Sequence, residues 1–224
     1  MMNYHAAIFD MDGLLLDTER ISMQTFSEAC SALSLPMLKE VYLKVIGCNA
    51  TTVQEIICSG YGSQLDYQAL RSEWLRRYHG IVTKQAIPIK EGVVELMQWL
   101  KSESIPIAVA TSSDKEIATI KLTLAGLIDY VDCLSTGCEV TKSKPDPEIF
   151  LLAAARLQVP AQQCLAFEDS HNGVLAAVAA GMQVYQVPDL IPPSTELIAM
   201  GHHIHSSLAD VLHTLQSQQI KQAN

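Results

Sequence analysis

The chain carries two aspartates one residue apart, Asp10 and Asp12, directly after the apolar run Ala6–Phe9. An apolar run that ends in two carboxylates and a glycine predicts a buried strand that opens into a tight turn. Both carboxylates can reach one reaction centre, and like charges this close are unfavourable unless a cation or a proton offsets them. The pair therefore indicates a metal-assisted site with a carboxylate nucleophile, and a solvated turn is the plain alternative.

Three hydroxyl residues, Thr111 to Ser113, follow the apolar segment Ile105–Ala110 and precede a helical pattern. A hydroxyl and free backbone N–H groups at a helix N-terminus form a good site for phosphate. The same residue types are also ordinary helix caps, so both interpretations stay open for this segment.

A lysine and a second carboxylate pair complete the candidate site. Lys144 precedes a proline and a helix start, so its charge can face the same crevice, whereas Lys142 is expected to be solvated. Glu168 and Asp169 follow the apolar run Cys164–Phe167. Because Mg²⁺ prefers oxygen ligands and keeps several waters, carboxylates from separate strands suit it.

The elements that must position these residues alternate between strands and helices beyond Pro88. Short apolar runs predict strands at Ala6–Phe9, Ile105–Ala110, Val131–Leu134, Cys164–Phe167 and Met182–Val187. Strands that alternate with helices indicate an α/β fold with a parallel, Rossmann-like sheet of right-handed βαβ units. Ligands bind outside the carboxyl ends of such strands, so we expect the polar residues that follow them to converge on one crevice.

The segment between the first strand and Pro88 has no strand pattern. Apolar residues at helical spacing in Ile21–Leu33, Val53–Ile57 and Leu70–Tyr78 predict a small helical bundle. The expected organisation is an α/β catalytic core of residues 1–16 and 89–224 with a helical cap of residues 17–88. The hinges would lie at Asp17-Thr18 and near Pro88.

Composition restricts the classes of partner. The chain has 224 residues and a formal net charge of −9, and no basic stripe that would indicate nucleic acid or an anionic membrane is visible. No stretch reaches the roughly 20 apolar residues that span a bilayer, and the first residues lack an export signal. The cysteines form no CxxC pair, which favours free thiols and a cytoplasmic location. We expect a monomer or a weak dimer.

Four short segments together resemble the motifs of the haloacid dehalogenase superfamily in order and approximate spacing. They are Asp10–Gly13, Thr111–Ser113, Lys144-Pro145 and Glu168–Ser170. The resemblance extends from Ala6 to about Pro188, and the first and fourth segments are similar to the branch that contains β-phosphoglucomutase and many small phosphatases. That branch places a helical cap after the first motif.

The resemblance implies a role for each matching residue. Asp10 would be the nucleophile that forms an aspartyl-phosphate, and Asp12 would protonate the leaving oxygen and then help to deprotonate the attacking water. Thr111, Ser112 and Lys144 would bind the phosphoryl oxygens. Phosphoryl transfer depends above all on such positioning and charge neutralisation.

The same resemblance implies one Mg²⁺ ion. The Asp10 carboxylate, the Asp12 backbone carbonyl and Asp169 would hold it, and Glu168 would contact it directly or through water. This oxygen-only set agrees with the ligand preference of magnesium.

The cap is expected to close over the site, exclude water and contact the leaving group. Arg20, Asn49 and Arg76 are the candidate contacts. Mutases of this branch carry an arginine shortly after a cap glycine, and here Ala50 follows Gly47 at that place. A doubly phosphorylated intermediate would lack its anchor, which favours hydrolysis.

These observations predict a magnesium-dependent phosphatase that acts on a small phosphorylated metabolite, such as a sugar or nucleoside phosphate. Asp12 favours phosphate chemistry, because dehalogenases of the superfamily lack the second aspartate. The alternative enzyme is a β-phosphoglucomutase-type isomerase. A non-catalytic binding module would have lost a catalytic carboxylate, and none of the expected ones is missing.

Overall fold

Six parallel strands form the centre of the computed structural model, which describes residues 4–223. The strands are β1 (Ala6–Phe9), β2 (Ile107–Thr111), β3 (Cys133–Thr136), β4 (Cys164–Glu168), β5 (Gln183–Gln186) and β6 (His203–Ile204). Their order across the sheet is β3-β2-β1-β4-β5-β6. Phe9 pairs with Val109 of β2 and with Phe167 of β4, so the residues that follow these three strands lie along one edge. The predicted α/β fold with a parallel, Rossmann-like sheet is confirmed.

The described part of the chain also contains ten α-helices, of which some pack against the sheet and others form a separate helical segment. They are α1 (Thr18–Ala32), α2 (Lys39–Leu43), α3 (Ala50–Tyr61), α4 (Tyr67–Val82), α5 (Val93–Ser102), α6 (Lys115–Leu124), α7 (Glu148–Leu157), α8 (His171–Ala179), α9 (Thr195–Ile198) and α10 (Leu208–Ala223). None of the helices among residues 4–223 is long and apolar enough to cross a bilayer.

The sheet is buried on both faces. Phe9 and Phe167 stack at 4.4 Å in one apolar cluster, which also contains residues of α5 and α10. Ile8 belongs to a second cluster with residues of α7 and α8. Because β1 is covered on both sides, it is continuously apolar rather than alternating.

The helices α1–α4 between β1 and α5 have an apolar centre of their own. Phe26 of α1 lies 5.0 Å from the Trp74 ring of α4 and 5.1 Å from Tyr42 of α2. The chain enters and leaves this helical segment side by side, because Leu16 and Ile89 form an antiparallel bridge. The segment agrees with the predicted bundle, and its division from the core at residues 17–88 stays a prediction.

Two strands begin two residues later than their apolar runs predicted. β2 begins at Ile107, because Pro106 has no backbone N–H to donate and Ile105 still bonds to the end of α5. β3 begins at Cys133, because the N–H of Val131 still donates to the carbonyl oxygen of Ile128 in the preceding 3₁₀ turn. The short strand β6 lies in the segment Gly201–His205, for which the alternating pattern favours a strand or a loop, and its His203 ring stacks on Tyr185 at 4.6 Å.

Candidate active site

The carboxyl ends of β1, β2 and β4 open into a cavity of about 450 Å³. The predicted site residues that line it are Asp10, Asp12, Thr111, Ser112, Lys144, Asp169 and Asn49. The strand ends therefore bring together residues that are far apart in the sequence. Glu168, Arg20 and Arg76 do not line this cavity.

Lys144 joins two carboxylates at the bottom of the site. Its Nζ donates to Oδ1 of Asp10 and to Oε1 of Glu168, each at 2.5 Å, and to the carbonyl oxygen of Ala110 at 3.2 Å. Burial raises the pKa of Asp10 to about 7; the negative charges of Glu168 and Asp12 add to this rise, and the Lys144 charge opposes it. The lysine thus compensates part of the cost of burying two acids.

Glu168 organises the loop after β4. Its Oε2 accepts hydrogen bonds of 3.0 Å from the backbone N–H groups of Asp169 and Ser170 and from the Ser170 hydroxyl. A Cβ on Gly173 would collide with the Glu168 carboxylate, so the glycine makes room for it. Since Lys144 occupies the other oxygen, this geometry favours an indirect over a direct role for Glu168 at a metal.

Asp12 lies in the turn that follows β1. Gly13 has a φ of +87°, which favours glycine, and a Cβ there would also collide with the Asp169 carboxylate. The Asp12 carboxylate accepts from Lys121 Nζ at 2.5 Å and from the Ser113 hydroxyl at 2.9 Å. Burial raises the pKa of Asp12, but Lys121 and Ser113 outweigh it and hold the pKa below its ordinary value.

The hydroxyl segment does not open a helix directly, which corrects the expectation for residues 111–113. Thr111 is the last residue of β2, and α6 begins only at Lys115 after Asp114. The Thr111 hydroxyl accepts from the backbone N–H of Ser113 at 3.1 Å, so the segment forms a loop of its own. Polar groups of this loop, rather than the first turn of α6, face the cavity.

Two of the three predicted cap contacts are engaged elsewhere. Arg76 makes two hydrogen bonds with Glu73, and Arg20 pairs with Asp17 at 2.5 Å and Asp189 at 3.1 Å. Neither arginine lines the cavity, so a contact of either one with the substrate stays a prediction.

Asn49 does line the cavity, and its Oδ1 also accepts from the backbone N–H of Thr52 at 3.0 Å to cap α3. Beside it, the carbonyl oxygen of Gly47 accepts from the Asn172 side chain of α8 at 2.8 Å. This hydrogen bond ties the loop before α3 to the edge of the sheet that carries Asp169.

Sequence reasoning missed Lys121 and Glu19. Lys121 belongs to a buried stripe of α6 that also contains Ala118 and Leu122, and a lysine within such a stripe was the available signal. Glu19 of α1 lines the cavity, and burial raises its pKa to about 7, with the charges of Asp12 and Asp189 adding to the rise.

The carboxylates at the cavity could fill part of the coordination shell of a magnesium ion. No group of three or more His, Cys, Asp or Glu side chains within residues 4–223 is arranged to hold a metal by itself. Asp10 and Asp169 nevertheless line one cavity, and burial and the charges of Glu168 and Asp10 raise the pKa of Asp169 well above its ordinary value. A cation would offset this repulsion, and Mg²⁺ commonly binds one or two carboxylates and completes its shell with water and substrate oxygens.

Comparisons with known proteins show which family and which proteins this chain is similar to. The model of the family described as haloacid dehalogenase-like hydrolase matches residues 7–187. A probable pseudouridine-5'-phosphatase of Drosophila melanogaster is 34% identical, over 91% of this chain and 89% of that protein. A phosphorylated carbohydrates phosphatase of Thermotoga maritima is 30% identical, over 88% and 91%. The crystal structure of a putative β-phosphoglucomutase from Thermotoga maritima has a TM-score of 0.77 at 27% identity, over 95% and 99% of the two chains.

Proposed function

Because the chain belongs to the haloacid dehalogenase-like hydrolases, we propose that it is a magnesium-dependent phosphatase of small phosphomonoesters. The observation that carries the proposal is that Asp10, Asp12, Thr111 and Lys144 line one cavity. The two relatives named above are phosphatases of pseudouridine 5'-phosphate and of phosphorylated carbohydrates. A sugar or nucleoside phosphate is therefore the substrate class that we infer.

In the first half-reaction, a carboxylate oxygen of Asp10 attacks the phosphorus of the ester. The new bond from Asp10 to phosphorus forms as the bond from phosphorus to the leaving oxygen breaks, and Asp12 gives that oxygen a proton. Lys144 and Thr111 stabilise the charge on the remaining phosphoryl oxygens. Lys144 holds Oδ1 of Asp10, which leaves Oδ2 for the attack.

In the second half-reaction, water attacks the phosphorus of the aspartyl-phosphate. Asp12, now deprotonated, accepts a proton from this water, and the bond between Asp10 and phosphorus breaks. Inorganic phosphate leaves and the Asp10 carboxylate is restored. One residue thus serves as acid and then as base, as the two half-reactions require.

Asp10, Asp169 and the backbone carbonyl of Asp12 are the groups that would hold Mg²⁺. The ion supplies positive charge for the phosphoryl oxygens. Glu168 contributes by fixing Lys144 and the backbone of Asp169.

Hydrolysis is favoured over the mutase reaction by the charges around the cavity. Among the residues that the structure describes, Lys144 is the only lysine or arginine that lines it. A bisphosphate intermediate would need a second cationic anchor. Ala50, which the resemblance matches to the arginine of the mutases, lines the cavity and carries no charge.

Phosphate release from a panel of phosphomonoesters, with magnesium and with EDTA, tests the proposal. The panel contains hexose phosphates, pseudouridine 5'-phosphate and other nucleotides, and β-glucose 1-phosphate is tested for isomerisation in parallel. We expect magnesium-dependent release by the wild-type chain and none by a folded Asp10→Asn variant. Isomerisation without release would replace the phosphatase by a mutase, and neither activity would favour a binding module.

Two further properties stay predictions from the sequence. The six cysteines are free thiols, which agrees with the proposed cytoplasmic location. The monomeric or weakly dimeric state can be measured by light scattering.

A further inference from the structure

We propose that Lys121 is a positioning residue for Asp12 and that the hydrolysis of esters with strongly basic leaving groups depends on it. This inference rests on the proposed phosphatase function and concerns the role of Asp12 as the acid. Lys121 lies in the last turn of α6 and its side chain is fully buried. Nothing in the reaction as described above uses its charge.

The contacts of Lys121 are directed at a single carboxylate. Its Nζ donates to Oδ1 of Asp12 at 2.5 Å and to the Ser113 hydroxyl at 3.1 Å. Ser113 in turn donates to Oδ2 of Asp12 at 2.9 Å. The Thr111 hydroxyl also donates to Oδ2 of Asp12, at 3.4 Å. The two oxygens of Asp12 are therefore held by different donors, and Lys121 and Ser113 also bond to each other.

This arrangement fixes the carboxylate in one orientation. Asp12 sits in a turn that leaves 24% of its side chain exposed, so its side chain could otherwise rotate away from the cavity. A buried ammonium without a counter-charge is costly, and among residues 4–223 Asp12 is the only carboxylate within ion-pair distance of Lys121. Moving the Asp12 carboxylate away would thus leave the buried Lys121 ammonium without a counter-charge.

An alternative role for Lys121 is to hold the helical segment against the sheet. Its Nζ lies 5.9 Å from the centre of the Tyr78 ring in α4. A purely structural role of this kind would affect every substrate alike. A role through the proton of Asp12 would instead depend on how much the leaving oxygen needs that proton.

Leaving-group dependence separates these roles. The value of kcat/KM reports steps up to the formation of the aspartyl-phosphate, so it isolates the acid role of Asp12 from its later role as base. p-Nitrophenyl phosphate has a weakly basic leaving group that departs without a proton. The hexose phosphate that the wild-type chain hydrolyses fastest has a strongly basic one.

We expect the lost orientation to outweigh the rise in the Asp12 pKa that follows from removing the Lys121 charge. Lys121→Met should therefore lower kcat/KM for the hexose phosphate about 100-fold and leave the value for p-nitrophenyl phosphate within about threefold. Lys121→Arg keeps a cation and should recover part of the loss. Lys101→Met is the matched control, since Lys101 pairs with Asp132 at 2.6 Å away from the cavity, and it should change neither value. An equal loss for both substrates, or no loss for either, would overturn the inference.

Folding of the variants is checked by thermal unfolding. Met removes a buried charge, and the exposed part of Asp12 can be hydrated, so we expect Lys121→Met to fold. If Lys121→Met does not fold, Ser113→Ala is tested instead, because it removes the 2.9 Å hydrogen bond to Oδ2 of Asp12. It should lower kcat/KM for the hexose phosphate relative to that for p-nitrophenyl phosphate. An unchanged ratio of these two values would again overturn the inference. A wild-type chain that hydrolyses neither ester would instead refute the proposed phosphatase itself.

Discussion

Lys144 Nζ lies 2.5 Å from Oδ1 of Asp10, and both groups are buried. The proposed nucleophile therefore faces a fixed cation before any phosphate binds. The same ammonium also contacts Glu168, so one positive charge stands between two carboxylates.

Replacing this lysine should destabilise the protein as well as inactivate it. Lys144→Met leaves Asp10 and Glu168 without their shared cation, and we expect the free energy of unfolding to fall by about 3–5 kcal/mol. Urea unfolding at about pH 8 without magnesium measures this, since the acids are then more fully charged. Lys142→Met is the control: its side chain is 73% exposed, so its loss should change the value by less than about 0.5 kcal/mol. Equal stabilities of the two variants would contradict the buried pairing.

Two glycines within helices should respond to alanine in opposite directions. Alanine favours helix over glycine by up to about 1 kcal/mol, so Gly80→Ala in α4, where an added Cβ meets no described atom within 4 Å, should stabilise the protein. Gly173→Ala in α8 places its Cβ on the Glu168 carboxylate, so it should destabilise the protein and reduce phosphate release. Thermal unfolding and the phosphatase assay measure both variants. A stabilised and active Gly173→Ala would show that Glu168 can move at little cost.

Substituting Asn49 should lower kcat/KM more than substituting Arg20 or Arg76. Asn49→Ala removes a cavity side chain and a helix cap, whereas Asn49→Ser retains a capping oxygen and shortens the side chain. We expect both to lower kcat/KM about tenfold for the preferred ester, and only the alanine variant to lose about 1 kcal/mol of stability. Arg76→Ala should leave kcat/KM unchanged, because that side chain is 66% exposed and bound to Glu73. If Arg76→Ala alone lowered kcat/KM, the assignment of the cap contacts would be wrong.

The Glu139–Arg156 ion pair should make stability depend on pH. Hydrogen bonds from Arg156 and Thr136 lower the pKa of Glu139 to about 2 from an ordinary value of 4.5. A lowered carboxyl pKa contributes stability above the unfolded value and loses it as pH falls through the folded one. Because Glu139 lies at the surface, where solvent screens the pair, Glu139→Gln should cost about 1 kcal/mol near pH 6 and progressively less towards pH 3. Urea unfolding across this range checks the sign, and a constant difference would refute it.

The position of the site could be predicted because parallel strands end at one edge of the sheet. β1, β2 and β4 each carry polar residues directly after a buried apolar run, and this pattern is local in the sequence. What the pattern does not give is how neighbouring acids divide their tasks. Glu168 and Asp169 are adjacent, yet one is enclosed by hydrogen bonds and the other lines the cavity.

The contact between Lys121 and Asp12 could not be predicted from either residue alone. The two are separated by 109 positions, and their meeting depends on how α6 packs beside β1. For Arg76 the sequence did hold the decisive information. Glu73 lies three positions earlier on the same helix, a spacing at which opposite charges pair.

The bridge between Leu16 and Ile89 places the two ends of the inserted helices beside each other. The whole insertion therefore leaves and rejoins the sheet domain at adjacent points, as a hairpin loop does. Closing a loop whose ends already touch costs little more for a long chain than for a short one. The helices that surround Asn49 could thus diverge in length and sequence while Asp10 and Lys144 kept their geometry, so the choice of substrate can evolve separately from the phosphate chemistry.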